Sequence, residues 1–101
     1  MRWITKRSIG GPLRSMIIIY SPKFSREYKK VPAAIKIIAE KQEVIFRKNP
    51  FDTRLKTHKL QGRFNGFLSF SIGHKYRIIF ELTKDRKTAY FHSAGDHDIY
   101  Q

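Results

Sequence analysis

The chain contains no cysteine and no apolar run of membrane-spanning length. The first absence excludes disulfides and thiolate metal sites, so stability has to come from packing alone. The longest apolar run, Met16 to Tyr20, ends after five residues, whereas a membrane helix needs roughly 18. The first 15 residues also lack the apolar stretch of a secretory signal. We therefore expect no membrane association, no export and a location in the reducing cytoplasm.

Acidic residues are also scarce. Eight Asp and Glu stand against 21 Lys and Arg, which gives a formal net charge of +13. A small core cannot hide this excess, so much of the surface must carry positive potential and attract polyanions. Nucleic acid, including ribosomal RNA, is the first partner that this charge favours, and an acidic protein is the second.

The length and the apolar content predict one folded domain. The chain has 101 residues, of which 41% are apolar and 14% aromatic. Residues 1–15 hold four basic and no acidic residues around the breaker Gly10-Gly11-Pro12. We interpret them as a basic N-terminal extension and residues 16–101 as the domain. Two interpretations of the extension remain open, a flexible arm or a segment upstream of a true start at Met16.

Local signals predict one strand and two helices in the first half of the chain. Ile17 to Tyr20 is a short apolar run, typical of a strand buried on both faces. Ser21 followed by Pro22 predicts an N-cap and a first helical position, so we expect a helix from Lys23 to Lys30. A second helix is expected from Ala33 to Lys48. The apolar stripe of this second helix is predicted to pack against a sheet and consists of Ala34, Ile37, Ile38, Val44 and Ile45.

A β-hairpin dominates the second half. From residue 67 to residue 72, two sets of side chains alternate with the period of a strand: Phe67, Ser69 and Ser71 on one face and Leu68, Phe70 and Ile72 on the other. Gly73-His74 then supplies a turn. Tyr76 to Leu82 is predicted as the return strand. A charged turn then leads into a last strand, Thr88 to Ser93, which Gly95 is expected to break. The order is β-α-α-β-β-β, and we predict an α+β fold with two helices packed on an antiparallel-dominated sheet.

Two segments resemble a known family. They are DTRLKTHKLQGRFNGFLSFSIGHKYRIIFEL, from residue 52 to residue 82, and the ending GDHDIY. Over about Met16 to Gln101 the chain resembles the RelE/ParE superfamily of type II toxin–antitoxin toxins, and within it the YafQ-like mRNA interferases. The resemblance implies ribosome-dependent cleavage of mRNA, inhibition of translation and growth, no cofactor, and neutralisation by an acidic antitoxin in a hetero-oligomer.

The same resemblance implies roles for individual residues. His58 matches the histidine before the leucine-glycine turn, and His97 matches the histidine of the C-terminal motif. Arg77 matches the arginine that contacts the scissile phosphate, and Tyr76 and Tyr100 match aromatic positions near the RNA. Four positions depart from the pattern and leave the general base open. Leu68 and Phe70 stand where RelE has catalytic lysines, and Ser71 and Lys75 stand where YafQ-like members have a histidine and an aspartate.

The residue types suit RNA cleavage without a metal ion. A base must take the 2′-hydroxyl proton, a cation must hold the charge that develops on the phosphate, and an acid must protonate the leaving oxygen. Histidine, with an unperturbed pKa of about 6.5, suits either proton role, and an arginine grips phosphate oxygens in a bidentate fork. Aromatic rings stack on bases. We predict proton transfer by His58 and His97, phosphate stabilisation by Arg77, RNA orientation by Tyr100, and an RNA-binding rim made of Lys56, Lys59 and Arg63.

The other two histidines are weaker candidates for a catalytic role. His74 lies in the hairpin turn and serves as a fallback base, and His92 lies in the last strand; we interpret both as structural or solvent-facing. Asp96, His97 and Asp98 are consecutive, and neighbouring strand residues point apart rather than toward one ion. The sequence therefore predicts no metal site.

Two rival functions remain open on the sequence alone. One is a toxin of the same fold without RNA chemistry, as the ParE-type members that act on DNA gyrase. The other is a catalytically inactive basic module that binds RNA or an antitoxin-like partner, which the missing lysines and aspartate favour.

Overall fold

The computed structural model of the chain describes residues 4–6 and 16–96, with side chains for 16–96 only. His97 and Tyr100 therefore lie outside the described residues, as does most of the predicted extension. Ile4–Lys6 within that extension forms a short strand that pairs with Ile17–Tyr20. The division of the chain at residue 16 stays a prediction.

Two helices occur where the sequence predicts them. The first, α1, is Pro22–Lys29, and the second, α2, is Ala33–Lys48. The Ser21 side chain caps α1, because its Oγ accepts a hydrogen bond of 2.9 Å from the Phe24 N–H. Within the described residues, no helix is both long and apolar enough to cross a membrane.

The strands form one mixed sheet of six, in which β2 and β6 run parallel and all other neighbours run antiparallel. The spatial order is β1-β2-β6-β5-β4-β3. This confirms the α+β fold, although the two short edge strands β1 and β3 were not predicted. The strands are β1 Ile4–Lys6, β2 Ile17–Tyr20, β3 His58–Lys59, β4 Leu68–Ser71, β5 Tyr76–Leu82 and β6 Thr88–Asp96.

The last strand does not break at Gly95, so that prediction was wrong. Strand β6 continues to Asp96, and Gly95 pairs with Arg77 of β5. The register between β5 and β6 shifts by one residue, since Ile79 pairs with Ser93 while Phe80 pairs with Phe91, and His92 is left over. This is a β-bulge, which re-aims the side chain of the extra residue. Ladder pairing with β5 outweighs the weak local preference of a single glycine against strands.

The core lies between the two helices and the sheet face that they cover. Phe46 of α2 is fully buried at its centre. The Phe46 ring lies 4.8 Å from the rings of Phe70 and Phe80 and 5.3 Å from that of Phe91, measured between centroids. These four rings come from one helix and three strands, so they join both layers.

Most of the predicted apolar stripe of α2 is exposed, and for those residues the prediction was wrong; Ile45 alone among its members is half-buried against the core. Ile37 and Val44 are 58% and 57% exposed, whereas Ala39 and Phe46 are buried. Two residues along a helix point about 200° apart, so each exposed residue lies nearly opposite the buried residue that follows it by two. The sheet presents three phenylalanine rings to α2, and the large Phe46 ring packs among them. The aliphatic side chains of Ile37 and Val44 are therefore turned outward.

A hydrogen bond from Tyr20 to Glu43 joins β2 to α2 and leads to a pH-dependent prediction. The Tyr20 hydroxyl donates to Glu43 Oε1 at 2.7 Å, and burial together with that carboxylate raises the pKa of Tyr20. A group whose pKa is raised by folding stabilises the protein fully at any pH below its pKa in the unfolded chain, here near 10. Above that pH its contribution to stability falls as the pH rises. We expect Tyr20→Phe to be about 1–2 kcal/mol less stable than the wild type at pH 8.

This difference should shrink as the pH rises from about 10 to 11, where the unfolded wild type ionises and the variant has no group to ionise at that position. Urea unfolding of both proteins at pH 8 and pH 10.5 tests it. Titration of the lysines cancels in the comparison because both proteins carry the same lysines. A difference that stays constant across this range would contradict the raised pKa.

Candidate nucleic-acid interface

The sheet face that the helices do not cover, which we call the open face, carries two of the predicted site residues, His58 and Arg77. Strand pairing places residues of four neighbouring strands in two rows across it. Ser69 of the first row is fully buried, and its hydroxyl has no hydrogen-bond partner within residues 16–96. The first row is His58, Ser69, Ile79 and Ser93, and the second row is Ser71, Arg77 and Gly95.

The His58 ring is oriented by the backbone just before it. His58 is exposed on β3, and its Nδ1 lies 3.1 Å from the carbonyl oxygen of Lys56, a residue in left-handed conformation with φ of 53°. A carbonyl can only accept, so Nδ1 carries the proton in this hydrogen bond. In the neutral ring, Nε2 then keeps its lone pair and can accept a proton.

Arg77 lies on the same face as His58. It is half-buried on β5, between Ser71 on one side and Gly95 on the other. Two strand spacings and two residues separate it from His58, or about 12 Å between the Cα atoms. The long arginine side chain and the imidazole ring can reach toward one phosphodiester from these positions.

Other predicted residues lie elsewhere. Tyr76 packs on the helix side against the core, and Lys59 pairs with Leu68, whose side chain also packs against that core. Lys56 and Arg63 are exposed in the loops on either side of β3. The structure therefore brings His58 and Arg77 onto one face and places Tyr76 and Lys59 away from it. The roles of all these residues stay predictions.

The structure shows the surroundings of three of the four positions that depart from the family pattern. Phe70 is fully buried in the core, so this position offers no side chain to a substrate. Ser71 stands directly opposite Arg77, and its Oγ donates a hydrogen bond of 2.8 Å to the carbonyl of Gly73 in the hairpin turn. Lys75 is exposed in the same turn.

Several solved structures have a similar architecture. YafQ from E. coli strain BL21(DE3) superposes with a TM-score of 0.61 at 23% identity, covering 81% of this chain and 93% of YafQ. The E. coli DinJ–YafQ toxin–antitoxin complex contains a chain that matches with a TM-score of 0.67 at 21% identity, covering 84% and 96%. The chain has the RelE/ParE-like fold. The RelBE2 toxin–antitoxin complex from Mycobacterium tuberculosis also matches, with a TM-score of 0.65, 15% identity and coverage of 83% and 99%.

The RelE/ParE-like fold that the resemblance implied is thus confirmed. No family model and no curated protein sequence matches the chain. Likeness at these identities establishes the fold, and the chemistry has to be argued from the residues that this fold positions.

A cavity of about 370 Å³ opens beside the two rows of the RelE-like sheet. Its floor includes Ile79 and Ser93 of the first row, and its wall includes Phe67 and the bulge residue His92. The rings of Phe67 and His92 stand at 88° with centroids 4.8 Å apart, which forms an aromatic corner. The sequence reasoning missed this cavity. Its one local signal was Phe67, an aromatic side chain just before β4 that continues the alternation of Ser69 and Ser71.

Exposed basic side chains flank the site in the loops around β3. Asp52, in the loop before β3, forms a bidentate pair with Arg54, whose side-chain and backbone hydrogen bonds lower the pKa of that carboxyl to about 2. Its negative charge is thus paired locally, while Lys56 and Arg63 extend toward solvent. Within residues 16–96, no three His, Asp or Glu side chains are grouped to hold a metal ion.

Proposed function

We propose that this protein is the toxin of a type II toxin–antitoxin system and acts as a ribosome-dependent endoribonuclease on mRNA in the cytoplasm. The observation that carries the proposal is the placement of His58 and Arg77 on one open face of a RelE/ParE-like sheet, with the His58 ring oriented by the Lys56 carbonyl. This arrangement supports acid–base chemistry at a phosphodiester.

The reaction proceeds by attack of the 2′-oxygen on the adjacent phosphorus. His58 Nε2 takes the 2′-hydroxyl proton, and Arg77 holds the phosphate oxygens, on which negative charge builds. The bond from phosphorus to the 5′-oxygen breaks, and His97, predicted from the sequence, returns a proton to that oxygen. The products are a 2′,3′-cyclic phosphate and a 5′-hydroxyl end. Tyr100 orients the RNA in this scheme.

The net charge supports the ribosome as the place of action. A chain of +13 is attracted to ribosomal RNA, and the ribosome holds the mRNA extended in its decoding site. Binding to the ribosome thus supplies much of the substrate positioning that a small open sheet face lacks.

The proposal includes an acidic antitoxin. The outer face of α2 exposes Ile37 and Val44, with Lys41 between them and Lys48 one turn beyond. An acidic amphipathic segment would bury the aliphatic side chains and pair with the lysines, so the face fits such a partner better than a second copy of this basic chain. The DinJ–YafQ and RelBE2 structures are toxin–antitoxin complexes, which supports a hetero-oligomer here.

Mapping of mRNA 5′ ends on translating ribosomes tests the nuclease. Wild-type protein should create new 5′-hydroxyl ends, and His58→Ala should lower their yield by about 10²-fold, because a positioned base of this kind is lost. His74→Ala is the matched control, since His74 is an exposed histidine in the β4–β5 turn. It should cleave like the wild type. Loss in His74→Ala with retention in His58→Ala would instead assign the base to His74.

The rival functions give different results in the same series. If neither the wild type nor the variants create new ends, the nuclease proposal fails. Inhibition of DNA gyrase supercoiling that survives the loss of both His58 and His97 would then favour a gyrase toxin. Binding to ribosomes or to the antitoxin, without either activity, would favour the inactive binding module.

A further inference from the structure

We propose that the open-face cavity lined by Phe67, Ile79 and His92 is a subsite for one nucleobase of the bound RNA strand. The inference rests on the proposed function for the identity of the ligand as RNA, and on the cavity for the site itself. It adds a position at which the protein contacts a base, whereas His58 and Arg77 act on the backbone.

The shape of the cavity fits a flat ring. Phe67 and the bulge residue His92 meet at 88°. Nε2 of His92 lies 2.9 Å from Glu81 Oε1, and this hydrogen bond fixes the imidazole plane. Phe64 lines the neighbouring wall, and the Arg63 guanidinium lies 5.1 Å from the centroid of its ring. A base that enters this corner stacks on one ring and meets the other edge-on, the two arrangements that aromatic groups favour.

The charge of the cavity fits a nucleotide. Lys23 lies at one wall and Arg63 at the other, and the described lining residues include no carboxylate; the Glu81 carboxylate next to them is hydrogen-bonded to the His92 ring. Among residues 16–96, the ion pair of Lys23 is a long contact of 4.0 Å with Glu27. A cavity of similar volume between α1 and α2 is lined by Glu40 and Glu43, which would repel a phosphate. The open-face cavity is therefore the better site for an anionic ligand with an aromatic ring.

The position of the cavity fits a continuous strand. Ile79 on its floor follows Arg77 by two residues on the same face of β5, or about 7 Å along the strand. One nucleotide of an extended single strand can span this distance. With its phosphate on Arg77, the RNA can place a neighbouring base against Phe67.

Binding of short RNAs that cannot be cleaved tests the subsite without requiring catalysis. The probes are fluorescent 2′-O-methyl tetranucleotides, one with all bases and four that each lack a single base. In wild-type protein, one of the four abasic probes should bind about 5- to 150-fold more weakly than the intact probe, as measured by fluorescence anisotropy at low salt.

Phe67→Ala should bind that abasic probe and the intact probe equally. Phe51→Ala, which removes a surface phenylalanine stacked under Arg86 in a different part of the chain, should keep the wild-type difference. Arg63→Ala provides a second test on an exposed side chain, in case Phe67→Ala fails to fold. It should reduce the difference, whereas the charge-matched Arg86→Ala should weaken the two probes equally.

Equal binding of all probes by the wild type would overturn the subsite, as would a base dependence that survives in both Phe67→Ala and Arg63→Ala. The subsite and the nuclease proposals can fail independently of each other. Cleavage on ribosomes without base dependence would leave the nuclease and remove the subsite. Base dependence without cleavage would keep the subsite and remove the nuclease.

Discussion

Replacing Arg77 by alanine is expected to lower the rate of mRNA cleavage on the ribosome by about 10²–10³-fold, because it removes a donor group aimed at the charge that develops on the phosphate. Arg77 lies on the open face with His58 and is held between two paired strands. Strand pairing on both sides fixes the Arg77 backbone, so the side chain starts from a defined position on the open face. Single-turnover cleavage of mRNA on stalled ribosomes measures the effect.

Two further variants separate charge from geometry at Arg77. Arg77→Lys keeps the positive charge but loses the bidentate fork, so its rate should fall between those of the wild type and Arg77→Ala. Arg86→Ala removes an exposed arginine in the β5–β6 turn and should change the rate by less than a factor of about three, as a lost surface charge weakens RNA attraction only slightly. Wild-type cleavage by Arg77→Ala would remove Arg77 from the proposed chemistry.

Truncation of Phe46 should have the largest effect on stability. Phe46 is fully buried and packs against Phe70, Phe80 and Phe91. Phe46→Ala should lower the free energy of unfolding by about 3–5 kcal/mol, because it leaves a cavity that the surrounding rings fill only in part. A domain of this size has a free energy of unfolding of about 5–15 kcal/mol in total, so the variant should be near its unfolding midpoint at 37 °C. Urea unfolding followed by circular dichroism measures the loss.

Phe51→Ala is the matched control for this prediction. Phe51 is 39% exposed in the loop after α2, so its truncation should lower the free energy of unfolding by less than about 1 kcal/mol. If both substitutions had the same effect, the ring cluster would not be the centre of the core. If Phe46→Ala were as stable as the wild type, α2 would have to bury its other face in solution.

Capping residues, prolines and glycines allowed part of this fold to be predicted from the sequence. Ser21 and Pro22 define the start of α1, and Asn49 before Pro50 defines the end of α2. Gly73 has a φ of 133°, a conformation that L side chains rarely adopt, and the hairpin turns there as predicted. These features depend on one to four neighbouring residues, so no long-range contact is needed to anticipate them.

The resemblance located the candidate site, and the alternation of β4 and β5 divided its residues between two faces. Arg77 falls on the open face and Tyr76 on the helix side because successive strand residues point in opposite directions. The orientation of the His58 ring was not readable, since it depends on the left-handed conformation of Lys56.

By itself, the sequence determined the basic charge, the bounds of both helices, the hairpin and the residues that share a strand face. The tertiary structure decided which side of α2 is buried, because Ile37 and Phe46 both belong to plausible apolar faces and only the rings of the sheet distinguish them. It also decided that β6 runs through Gly95 and bulges at His92, which lines the open-face cavity. Such outcomes depend on pairing and packing between segments far apart in the chain, and local propensities of about 1 kcal/mol or less do not override them.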